Sequence, residues 1–150
     1  MTAVNAEYLA FCVGAEEYGI NILDVQEIRQ YEAPTRIANA PAHTLGVVNL
    51  RGVIVPITDL GQVLLQRPTP ITDQTVTVFC TKGQSLQGLV VDSVHDVIAP
   101  TEEDRKGAPA FTAAELASRP VVEEIACMEG KRNVMLTSVS ALLHSHQADR

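Results

Sequence analysis

The residues in this chain best able to do chemistry are few and scattered. His95 stands beside Asp96, the residue types of an acid–base pair, and His144 and His146 share a metal-tag-like spacing. Catalysis needs a nucleophile or base held by a partner. No Gly-x-Ser-x-Gly turn, phosphate-cradling glycine loop or His-Glu-x-x-His pattern occurs, so the sequence predicts no catalytic residue. His95 and Asp96 read best as solvated residues on a strand edge. The two C-terminal histidines lie in a polar tail without a third ligand, so neither a metal nor a cofactor is expected. Cys12, Cys80 and Cys127 are odd in number, far apart and each set in an apolar run, as in Phe11-Cys12-Val13. They are expected to be buried structural thiols in a reducing compartment.

A binding module needs something else: an apolar groove with a few oriented polar groups. The run Gly46-Val47-Val48-Asn49-Leu50-Arg51-Gly52-Val53-Ile54-Val55-Pro56-Ile57-Thr58-Asp59-Leu60 offers it. A tight Asn-Leu-Arg-Gly turn presents one cation, Arg51, and leads into a β-branched strand. Pro56 lacks a ladder donor, which predicts an edge strand or a bulge. Asp59 is placed as the N-cap of a short helix bearing Leu60, Val63 and Leu64. Two roles stay open for Arg51, a binding cation or one solvated over nearby carbonyls.

The rest of the chain must position that turn. Its 150 residues allow one domain, or two small subdomains sharing a core, burying about 68–70% of the unfolded surface. No apolar run approaches the roughly 18 residues that span a bilayer, so no direct membrane insertion is expected, and the N-terminus lacks a secretory pattern. A net charge of −7 and the absence of Trp argue against nucleic acid as a partner. Alternation predicts strands over 7–13, 18–22, 75–80 and 86–91. Val25-Gln26-Glu27-Ile28 is β-branched enough for a strand, although a short helix also fits, and alternation does not decide which face is inside.

The pattern then repeats. Gly19 to Ile28 superposes without gaps on Gly88 to Val97, an offset of 69, and Asp59 finds its counterpart in Ser138, an offset of 79. About ten extra residues therefore sit in the second half, within the Pro- and charge-rich loop of residues 100–111. Paired subdomains follow, since the period exceeds the roughly 20–50 residues of solenoids. Short strands and few helical periods predict an all-β protein of two small barrels with short helices. The expected division is a single domain over 1–150 with subdomains of about 14–75 and 76–135, the N-terminal strand and C-terminal helix packing across.

The signature run, with Thr35-Arg36-Ile37-Ala38-Asn39-Ala40-Pro41-Ala42 before it, and Glu17-Tyr18-Gly19-Ile20-Asn21-Ile22 and Val25-Gln26-Glu27-Ile28-Arg29 upstream, resembles the CheW family of bacterial chemotaxis adaptors in order and spacing. The resemblance implies two SH3-like five-stranded barrels about a pseudo-twofold axis. It implies a cytoplasmic, non-enzymatic adaptor recruited to chemoreceptor arrays, which couples methyl-accepting receptors to the histidine kinase CheA. The matching receptor-binding positions are Val25, Glu27, Gly46 and Arg51. The matching positions for the kinase's regulatory domain are Lys106 and Phe111, with Phe111 either an exposed anchor or folded onto its own core. A CheW-like adaptor of a pilus or other non-flagellar pathway is the alternative, and the span of the chain fits a stand-alone protein. Two departures from the family pattern bear on partner choice: Gly61 stands where Arg is common, and Ala110 where an acid is common.

Overall fold

The computed structural model describes residues 6–107 and 122–147. Among these residues, eleven strands form two sheets. The chain opens with the hairpin β1 (Tyr8–Val13) and β2 (Glu16–Asn21), turning at Gly14 with φ +64°. A 3-10 turn at Ile22–Asp24, capped by the Asn21 side chain, leads into β3 (Val25–Gln30). That segment is thus a strand, the first of the two readings left open by its composition. The hairpin β4 (Thr44–Leu50) and β5 (Val53–Asp59) runs into α1 (Leu60–Leu65). A second hairpin, β6 (Val76–Lys82) and β7 (Ser85–Val91), is followed by β8 (Ser93–Ile98) and the short β9 (Arg105–Gly107). The hairpin β10 (Glu124–Met128) and β11 (Arg132–Leu136) then ends in α2 (Val139–Gln147).

One sheet has the order β3-β6-β7-β5-β4, the other β8-β1-β2-β11-β10-β9. The five-stranded sheet curls until the chain beyond β3 meets β4. Thr35 and Val47 exchange two backbone hydrogen bonds of 2.8 and 2.9 Å, and closure of this kind removes a bare edge.

The sheets do not follow the division at residue 75. β1 and β2 lie in the sheet built mostly from the C-terminal half, whereas β6 and β7 lie in the sheet of β3, β4 and β5. The cause is a crossover after each first hairpin. The segments that repeat, Gly19–Ile28 and Gly88–Val97, each carry the chain from one sheet to the other, in opposite directions. Each third strand then pairs with the other half's first strand, β3 with β6 and β8 with β1. The repeated glycines have the same task. Gly19 pairs in parallel with Leu136 and Gly88 with Ile57, and a Cβ on either would press into a β11 or β5 side chain, at 3.1 Å from Leu136 and 2.5 Å from Ile57.

Crossing over also fuses the cores. Leu9, Phe11, Val13, Tyr18 and Ile20 of one sheet pack with Val78, Cys80, Leu89 and Val91 of the other, and Leu60, Val139, Leu142 and Leu143 from both helices complete the cluster. α2 follows β11 yet packs on α1 and β6 of the other sheet. Smaller clusters fill each sheet's own interior, around Ala126 and Val134 in one and around Val55, Ile57 and Phe79 in the other.

Of the two readings for Pro56, an edge strand or a bulge, the first does not hold and the second is met beside it. β5 is not an edge strand but lies between β4 and β7. Pairing with β7 starts only at Ile57, so the missing donor of Pro56 breaks no ladder there, and a register shift in β4 between Thr44 and Gly46 falls beside it.

Candidate binding site

The Asn-Leu-Arg-Gly sequence forms a two-residue hairpin loop between Leu50 and Val53. Arg51 has φ +52° and Gly52 φ +88°, the pair of positive φ values that a type I′ turn requires. Glycine takes such a conformation freely, whereas arginine does so at a cost, offset here by a 2.7 Å bond from the Gly52 N–H to Asn49 Oδ1. The turn points Arg51 back toward β3. Its Nη2 lies 2.5 Å from Glu27 Oε1, and Arg29 Nε lies 2.5 Å from Glu27 Oε2. Two guanidinium groups thus bracket one carboxylate. Their bonds, Arg29 first and Arg51 next, hold the Glu27 carboxyl below the usual carboxylate range.

The structure therefore brings Glu27 and Arg51 into contact. Val25 is half-buried, packed against the core between the sheets, and a register shift separates it from Glu27, so the two do not share an exposed face. Gly46 is buried and works through the backbone. Its φ is +146°, and an added Cβ would sit 2.1 Å from the Thr35 carbonyl oxygen, so the Thr35 to Val47 closure exists only because this residue is glycine.

Beside Glu27 lies a groove of about 600 Å³ between the free edges of β3 and β8, lined by Ile28, Arg29, Val94 and His95, with Asp73 and Gln74 at one side. Ile28 is 41% exposed, and Val97, further along β8, is 47% exposed. Large apolar side chains this open, flanked by cations, are what a docking surface needs. Sequence reasoning missed Ile28, Arg29 and Val94. Ile28 and Arg29 adjoin Glu27 in the quoted motif, but only the meeting of β3 with β8, about 65 residues apart in the chain, shows that they form a wall.

Lys106 is exposed on β9, whose backbone pairs with β10 around Ile125. Phe111 and Ala110 lie outside the described residues. The other departure, Gly61, has a local cause: a Cβ there would come within 2.6 Å of Thr69 Oγ1 and 2.7 Å of the Arg67 carbonyl. The chain after α1 folds back on the helix start, where the buried Asp59 carboxylate caps the Gly61 N–H and accepts from both the N–H and the hydroxyl of Thr69.

Behind the groove a polar chain crosses four strands. His95 does not pair with Asp96. Its Nδ1 lies 2.9 Å from Glu17 Oε2 and its Nε2 3.3 Å from Cys12 Sγ, while Arg132 forks onto both Glu17 and Asp96. Thiol, imidazole and carboxylate stand in line, yet burial first and the Glu17 charge next push the Cys12 thiol up, the opposite of what activates a nucleophile. The thiols also divide in a way the flanking apolar runs did not predict. Cys80 is buried, with its thiol pushed up to about 12 by burial, whereas Cys12 is half-buried and Cys127 is exposed. Alternation explains Cys127, since its neighbour Ala126 takes the inward place on β10. The described residues contain no group of three or more His, Cys, Asp or Glu placed to hold a metal, and no helix among them is long and apolar enough to cross a membrane.

Two β sheets thus share one core, and a charged hairpin stands near a groove of mixed polar and apolar lining. Comparison with known proteins names the kind of protein this is. Residues 7–147 match the CheW-like domain, and the chain belongs to that family. It is 44% identical over 144 residues to the chemotaxis protein CheW of Klebsiella aerogenes, covering 96% of this chain and 85% of the relative. It is 32% identical over 143 residues to a probable chemotaxis protein CheW of Rhizobium etli, covering 95% and 90%. The crystal structure of the scaffolding protein TtCheW from Thermoanaerobacter tengcongensis superposes with a TM-score of 0.81 at 26% identity, covering 93% of this chain and 92% of that one.

Proposed function

We propose that this protein is a cytoplasmic chemotaxis adaptor that couples methyl-accepting receptors to a CheA-type histidine kinase. Its action is positional rather than catalytic: two separate surfaces hold receptor tip and kinase domain together, so that a receptor's conformational bias alters kinase output. The observation that carries the reading is the Arg51 hairpin closing on Glu27, whose other partner, Arg29, lines the groove between β3 and β8. A receptor's helical tip would lay its apolar stripe on Ile28 and Val94 and meet the arginines with acidic side chains or its C-terminal carbonyls. Val25 backs that wall from the core, and Gly46 acts indirectly by closing the sheet that carries Arg51. The kinase's regulatory domain would take a second surface that includes Lys106, with Phe111 the other position matched by resemblance.

The test is kinase phosphorylation with receptor-containing membranes from the same cell, with and without this protein. Receptor control that appears only on adding the protein supports the reading. Unchanged output with all three components folded refutes it for this kinase, and the same assay with the kinase of a pilus or other non-flagellar pathway then decides where the adaptor belongs.

A further inference from the structure

We propose that Arg29 is a specificity-determining residue of the receptor surface: Arg29 and Arg51 share Glu27 as a single counter-ion, and together take an acidic side chain of the bound receptor helix. This deepens the reading above and rests on it. The three charged groups sum to one positive charge, on a protein whose net charge is −7. A lone Arg51 bonded to Glu27 would be neutral and would offer an acid little; the second guanidinium changes the sign of the site. Each arginine commits one nitrogen to Glu27, Nε of Arg29 and Nη2 of Arg51, and neither guanidinium makes another hydrogen bond or ion pair among the described residues. The donors that remain are enough for a two-pronged bond to an incoming carboxylate. Both arginines are also reachable, with side chains 46% and 62% exposed.

Arg29 is the link between the charged and apolar parts. It lines the groove with Ile28 and Val94, and it also lines the crevice that holds Asn49 and Leu50 at the base of the Arg51 hairpin. A helix seated on Ile28 therefore passes Arg29 before it can reach Arg51. The acids of the groove and crevice, Asp73 and Glu32, form no ion pair with either arginine, so Glu27 is the only internal competitor among the described residues. Because one carboxylate serves two cations, either arginine can swing to a partner while Glu27 keeps the other, and no buried charge is stranded by the exchange.

The experiment measures binding of the full chain to a receptor cytoplasmic fragment at low and at raised KCl, for wild type, Arg29→Gln and Arg29→Glu, with the kinase's regulatory domain as a second ligand. Losing a charge-assisted bond at a site of this kind should weaken receptor binding about tenfold for Arg29→Gln, and further for Arg29→Glu. Wild-type affinity should fall with salt more steeply than that of Arg29→Gln, and kinase-domain binding and melting temperature should not change. A receptor fragment with an acid of its tip replaced by lysine should recover binding to Arg29→Glu. Equal affinity and equal salt dependence for wild type and Arg29→Gln overturn the role of Arg29 alone. Failure of folded wild type to bind the fragment at all overturns the receptor reading beneath it.

Discussion

Gly46→Ala is the sharpest test of how the five-stranded sheet is held. The new Cβ would lie 2.1 Å from the Thr35 oxygen and 2.7 Å from its carbonyl carbon, distances that no rotamer relieves because both atoms are backbone. Residues 35 and 47 must therefore part, losing hydrogen bonds of 2.8 and 2.9 Å. At about 1 kcal/mol net each, these contribute about 2 kcal/mol, and holding alanine at φ +146° adds about 1 kcal/mol or more. A loss of about 3 kcal/mol in a chain of this size corresponds to a fall in Tm of about 6–12 °C, measured by calorimetry or circular dichroism. Gly52→Ala is the control. It too has positive φ, +88°, but nothing lies within 4 Å of its added Cβ, so only the conformational cost applies and its Tm should fall less. If Gly46→Ala melts with wild type, or no lower than Gly52→Ala, the closure is not what the glycine is for.

Three further outcomes follow from the same geometry. Gly61→Arg, which restores the residue common in the family, should lower Tm by several degrees, because the added Cβ meets the Arg67 carbonyl and Thr69 where Asp59 caps α1; an unchanged Tm would show that the 66–70 segment moves freely. Alkylation of the native protein should modify Cys127 first, Cys12 slowly and Cys80 only on unfolding, and early labelling of Cys80, whose thiol sits near 12, would contradict its burial. Glu17 and Asp96 are held below their ordinary values of 4.5 and 3.8, chiefly by hydrogen bonds from Arg132. Depressed carboxylates stabilise the fold above their unfolded-state values, and that stability is lost as pH falls through the folded ones. Arg132→Gln should therefore lower stability near neutral pH and flatten its decline below about pH 4.5; equal acid limbs for the two proteins would refute the assignment.

Much of this protein was legible in one dimension because the signals were local. Period-two alternation located the strands around Phe11, Val78 and Leu89, and their β-branched and aromatic content set them apart from helices. Asp59 before Leu60 announced a capped helix, and Arg51-Gly52 a tight hairpin, since each depends on the chemistry of two or three neighbours. The internal repeat was visible too, down to the matched Gly19 and Gly88. What stayed hidden needs partners distant in sequence. Nothing along the chain says that β3 pairs with β6 rather than closing its own half, so the division at residue 75 missed the crossover that exchanges strands between the sheets.

The candidate site divides in the same way. Its cation and its acid stood out as residues, but their contact did not, nor did the second arginine, because Glu27 meets Arg51 only once β4 and β5 have been brought beside β3 through the curl of the sheet. Gly46 was matched to the receptor-binding positions by resemblance alone, and its burial and its part in closing the sheet are set by one carbonyl oxygen eleven residues upstream. The two halves of His95-Asp96 were adjacent in sequence, yet a register shift between β1 and β8 falls at His95, and each found its partner on another strand. By itself the sequence determined the elements, their caps and turns, and the family they announce, since those follow from short-range sterics and periodicity. Tertiary structure alone decided which strands share a sheet, which glycine is structural and which charges meet, because those depend on how the chain's far ends come together.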